Sequence, residues 1–87
     1  GAFLKAEPAE FAISAVKESE DSRGWVVRGY NITGDDIQVK LTPWRPFKKA
    51  ELVNLAEQTQ KVLKVAKDGS INLAARGHEI VTVLFRD

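Results

Sequence analysis

The segment Ile37-Gln38-Val39-Lys40-Leu41-Thr42 alternates apolar and polar residues without a break. A period of two is the signature of a strand with one buried and one solvated face. Ile37, Val39 and Leu41 are assigned inward, and Gln38, Lys40 and Thr42 outward. The segment follows Thr33-Gly34-Asp35-Asp36, a turn in which glycine supplies unusual dihedrals. Ahead of that turn, Trp25 to Ile32 is rich in aromatic and β-branched residues. Two such runs joined by a short turn read as a hairpin.

The same grammar extends in both directions. Phe11 to Lys17 reads as a strand with Phe11, Ile13 and Ala15 on one face and Ala12, Ser14 and Val16 on the other. Glu18 to Gly24 is a polar turn. Phe3 to Ala6 is a short apolar lead-in stopped at Glu7-Pro8, where proline lacks the donor a central strand needs. Pro43-Trp44-Arg45-Pro46 is a loop and Asp68-Gly69 a turn, followed by Ser70 to Ala74. His78 to Phe85 is apolar on both faces, as a strand buried on both sides should be. Trp25 reads as core.

Lys48 to Lys67 is ambiguous. Leu52, Leu55, Ala56, Thr59, Leu63 and Ala66 fall at helical spacing, the residues are good helix formers, and Gly69 sits where a helix can end. Local pattern alone favours one amphipathic helix. The alternative splits the segment into Ala50 to Leu55, a turn at Glu57-Gln58-Thr59, and Lys61 to Ala66. Alternation survives in each half, with Val53 and Leu55 in one and Leu63 and Val65 in the other.

Composition excludes several function classes. Thirteen basic residues offset twelve acidic ones in 87 residues, giving a net charge of +1. That balance offers no field to draw in a nucleic acid or an anionic membrane. There are no cysteines, which removes disulfides and thiolate metal sites and fits the cytoplasm. No apolar run is long enough for a membrane-spanning helix. His78 is the sole histidine, whereas a zinc site takes three or four ligands. No serine stands in a nucleophile elbow, and one histidine makes a triad improbable. Glu18, Glu20 and Asp21 lie in a polar turn with nothing apolar nearby to raise a pKa, so a solvated turn is the preferred reading over an acid–base pair.

The order of several short segments resembles the last β-domain of the family 38 glycoside hydrolases, the α-mannosidases. The segments are Ala15-Val16-Lys17 with Glu20-Asp21, then Val27-Arg28-Gly29-Tyr30-Asn31 with Gly34. Ala50-Glu51-Leu52-Val53-Asn54-Leu55-Ala56-Glu57 is similar to the family's Asn-Leu-Leu-Glu segment, and Glu79-Ile80-Val81-Thr82-Val83 to its closing strand. The family often has leucine at the place of Gly29 and glutamate at that of Asn31; Trp44-Arg45-Pro46-Phe47 has no recognised counterpart. A glycine in mid-strand either weakens the strand or lets another backbone approach.

The resemblance implies an all-β domain, an antiparallel β-sandwich of about seven to eight short strands, over residues 3–87. It favours the two-strand reading of 48–67. Gly1-Ala2 reads as a cloning scar or cut point. The implied parent is a retaining α-mannosidase acting on α-mannosides, with zinc held in its catalytic domain and no cofactor in this one. Its implied partner is the catalytic domain of the same polypeptide, with no nucleic acid and no membrane, and a homo-oligomer is one form the parent can take. No catalytic residue is assigned to this chain, which should be inactive alone.

Five residues are candidates for the substrate rim or for domain docking: Arg28, Tyr30, Asn31, Trp44 and Phe47. Arg28 and Tyr30 share a strand face with Val26, where a guanidinium can fork onto a carboxylate or a sugar hydroxyl. The bland alternative pairs Arg28 with a local acid such as Glu51. Asn31 either opens the turn before Gly34 or touches sugar. Trp44 and Phe47, with Arg45, Lys48 and Lys49, form the one aromatic and basic cluster. They either plug an end of the sandwich or dock on a neighbouring domain, or they stack on sugar rings or bases. A free-standing carbohydrate- or nucleic-acid-binding β-domain is the competing function.

Overall fold

A computed structural model describes residues 4–87. Gly1, Ala2 and Phe3, read from sequence as a cut point and the start of an apolar lead-in, lie outside the described residues. The strands are β1 (Lys5–Glu7), β2 (Phe11–Glu18), β3 (Gly24–Asn31), β4 (Ile37–Thr42), β5 (Lys49–Val53), β6 (Thr59–Leu63), β7 (Ile71–Ala75) and β8 (Ile80–Arg86). They form a three-stranded sheet, β1-β4-β7, and a five-stranded sheet, β2-β3-β8-β5-β6. Every pairing is antiparallel, so the all-β sandwich expected from the sequence is the fold.

The two sheets face each other across one core. Val27, Val81, Val83, Phe85, Ala50 and Leu63 come from the larger sheet, and Val39, Leu41, Ile71, Leu73 and Ala75 from the smaller. Each fully buried Val, Leu, Ile or Phe contributes about 1.5–3 kcal/mol. β4 begins and ends where the alternation does, and Val39 and Leu41 are each only 1% exposed. At Pro8 the chain leaves the small sheet, turns through a bond from Phe11 N to Pro8 O at 3.0 Å, and enters the large one. β2 carries a bulge between Ile13 and Ala15, and Ser14 uses its hydroxyl on the carbonyl of Arg28 at 3.2 Å.

Residues 48–67 are two strands, not the helix that local pattern favours. β5 pairs with β8 on one side and β6 on the other. Val53 and Leu63 are buried, whereas Leu55, on the would-be helix face, is 76% exposed. Asn54 directs the reversal: its Oδ1 accepts from Ala56 N at 2.9 Å and Gln58 N at 3.0 Å. Glu57 takes a left-handed conformation (φ 59°) there, which no helix permits. The turn therefore begins at Asn54, earlier than Glu57-Gln58-Thr59.

Gly29 is explained by a side chain rather than by a passing backbone. A Cβ on Gly29 would overlap the ring of Phe11, which crosses from β2 and is 3% exposed. A leucine here would require the Phe11 ring to be elsewhere.

Candidate functional site

The candidate residues divide among three places. The register of β3 with β8 puts Trp25, Val27 and Gly29 on the core face, and Val26, Arg28 and Tyr30 on the outer face of the large sheet. Arg28 and Tyr30 thus stand together, as the sequence indicated. Arg28 is half-buried, and its Nε donates to Thr82 Oγ1 at 3.4 Å, at the long end of the hydrogen-bond range. The local acid proposed for it is taken: Glu51 accepts from Thr59 Oγ1 at 3.0 Å and lies 4.0 Å from Arg86. Among the described residues, no carboxylate comes within 4.0 Å of the Arg28 guanidinium. Tyr30 lies beside His78, with Oη 3.2 Å from Nδ1 and the rings stacked at 6.3 Å.

Asn31 is at one end of the sandwich and is 0% exposed. Its Nδ2 donates to the carbonyls of Asp35 at 2.7 Å and Arg76 at 2.8 Å, with Ala75 at 3.3 Å. Its Oδ1 accepts from Thr33 N at 2.9 Å and Thr33 Oγ1 at 2.8 Å. This capacity is spent inside the fold, so Asn31 has no atom left for a sugar. Its role is to tie the β3–β4 turn to the β7–β8 turn, which also meet through His78 N to Thr33 O at 2.8 Å. The sequence offered Asn31 as a turn opener; the long-range carbonyl partners are invisible without the fold.

Trp44 and Phe47 close the opposite end. Trp25, Trp44, Phe47 and Phe85 form a chain of ring contacts at 5.4, 5.7 and 5.5 Å, the first two edge-to-face. Phe47 is 3% exposed and cannot offer a stacking face. Arg45 caps it, its guanidinium 3.8 Å above the ring and forked onto Asp87 at 2.8 and 2.9 Å. A notch of about 190 Å³ beside Trp44 is lined by Leu4, Val16 and Trp25. It lacks the convergent polar groups that a sugar site needs. Phe47 is buried in the ring cluster that closes this end, and Trp44 is only partly buried beside it.

The acidic turn is structural as well. Asp21 accepts from Ser19 Oγ at 2.6 Å and Arg23 N at 3.0 Å, and meets Arg86 at 3.3 Å. The hydrogen bonds from Ser19 and Arg23, then the Arg86 charge, hold its carboxyl below the ordinary 3.8. A general acid needs the opposite shift. Ser70 does the same to Asp68, and Arg45 to Asp87. No cluster of three or more metal-ligating side chains occurs among the described residues.

On the outer face of the large sheet Arg28 and Tyr30 stand together, Arg28 with one side-chain hydrogen bond, to Thr82. The family model for the glycosyl hydrolases family 38 C-terminal beta sandwich domain matches residues 10–83. No curated protein and no solved structure matches the chain. The matched span takes in β2 to β7 and most of β8, and the chain belongs to this family.

Proposed function

We propose that this member of the family 38 C-terminal β-sandwich domains is the non-catalytic end domain of an α-mannosidase, packed against the catalytic domain and bracing it. The family match over residues 10–83 carries the reading. One feature of the chain supports it: polar side chains of its turns, Asp21 and Asn31 above all, are used within the fold. The role is therefore mechanical: a sandwich with its own core presents a preformed surface to its neighbour.

Activity on an aryl α-mannoside tests this. The 87-residue chain alone is expected to release no aryl alcohol, and the parent polypeptide to release it. Deleting the domain from the parent is expected to lower the parent's thermal midpoint and its activity together. Turnover by the isolated chain, or a deletion that leaves stability and activity unchanged, overturns the reading.

A further inference from the structure

The two outer faces of a free-standing sandwich are expected to be polar, because each strand alternates core-facing and water-facing residues. The small sheet obeys this: Gln38, Lys40, Thr42 and Asn72 face out. The large sheet does not. Val26, Val53 and Leu84 lie on its outer side, away from the other sheet, yet are 2, 5 and 4% exposed. They pack with one another at the sheet centre, and around them Ile80 and Val62 are 62 and 72% exposed. Beyond Val53, where β5 leaves β8, a notch of about 200 Å³ opens beside Ile80 and Thr82.

The charge on this face is one-sided. Arg86 is met by Asp21 and Glu51. Lys17, Arg28 and Lys49 share the face, by register with Val26, Thr82 and Arg86. None of the three has a carboxylate within 4.0 Å among the described residues. Arg28 stands between the apolar centre and Tyr30 with most of its five donors unused. An arginine with a tyrosine beside a small desolvated cluster is the composition of an interface centre, and unmatched cations at its edge select an acidic partner.

We infer that this face, centred on Arg28, Leu84 and Ile80, is the docking surface, and that its occupant is an apolar patch of the parent's own catalytic domain carrying a carboxylate that takes the Arg28 fork. The inference rests on the bracing role proposed above and adds to it which face is covered and by what chemistry.

Single cysteines in the full parent polypeptide test it through their rates of maleimide labelling. Ile80→Cys and Val62→Cys are expected to label roughly tenfold or more slowly than Asn72→Cys on the polar outer face, because a packed interface excludes the reagent. Adding Arg28→Glu is expected to bring the rate at position 80 most of the way to that at position 72. Arg28→Gln should do so in part, with labelling at position 72 unchanged as the check on folding. Equal rates at 62, 72 and 80, with slow labelling at another surface position such as 5 or 16, overturn this face while leaving the bracing role intact. Fast labelling everywhere overturns both. Protection that appears only as protein concentration rises assigns the face to a second copy of the chain and overturns the proposed occupant.

Discussion

The two ends of the sandwich are closed by opposite physics. At one end Trp25, Trp44, Phe47 and Phe85 stack ring against ring, and exposed charges decorate the outside. At the other, one buried amide, Asn31, gathers the carbonyls and hydroxyl of two turns. The first closure is non-directional, gains from area removed from water, and tolerates adjustment. The second gains little net energy from each hydrogen bond, but loses heavily if a partner is left unpaired in the interior. At both ends a candidate side chain, Asn31 at one and Phe47 at the other, is buried within the fold.

The largest effect expected is at the aromatic end. Phe85→Ala, at a residue 0% exposed against Phe47, should cost about 3–5 kcal/mol in urea unfolding followed by circular dichroism. That is a large share of the stability of any small domain. A loss smaller than that of the amide substitution below would break the contrast. Asn31→Leu keeps similar bulk and removes the side-chain hydrogen bonds, and should cost about 1–3 kcal/mol in all, because the Thr33, Asp35 and Arg76 groups it releases are only part-buried and can turn to water. Asn31→Asp sharpens the distinction. Burial among carbonyls raises the folded pKa of the substituted carboxyl above its unfolded value. Its penalty is therefore greatest at neutral pH and shrinks as pH falls through the raised folded pKa. Unfolding midpoints at pH 7 and pH 4 check the sign.

The smallest effect is the acid response of the wild type. Asp21, Asp68 and Asp87 all lie toward the aromatic end and all have folded pKa values below 3.8. A depressed carboxyl contributes stability that is fully present above its unfolded pKa and is lost as pH falls through the folded one. Acidification below about 3.8 should therefore loosen this end first, modestly, since the three carboxylates are exposed. The amide resonances of Arg23 and Ser70, which donate to Asp21 and Asp68, should shift in that window, while that of Thr33, held by Asn31, should not. Simultaneous shifts at both ends would mean that the ends do not respond separately.

Particular residues mark how much of this could be read in advance. The β4 alternation was sufficient to place Val39 and Leu41 in the core, because a period of two has one meaning on a pleated strand. The pairing of Arg28 with Tyr30 on one face followed from the same period. Lys48 to Lys67 was misread by local pattern, because its propensities are helical and what overrides them is long-range: both edges of β5 are taken up by β8 and β6. Asn31 and Phe47 looked available for binding because polarity and aromaticity say nothing of where the chain folds back. Residues 75 and 76 spend the capacity of one, and the ring of Phe85 covers the other.

By itself, the sequence determined the positions of most turns and the lack of a histidine or cysteine set for chemistry, because these depend on local spacing and on composition; the class of fold and the family were legible only through the resemblance. Only the tertiary structure decided which polar groups are spent and which remain free. Burial and hydrogen-bond satisfaction are set by contacts between residues far apart in the chain. So the same alternation that predicts an outer face cannot predict that Val26, Val53 and Leu84 meet there, beneath an arginine with no carboxylate partner within 4.0 Å among the described residues.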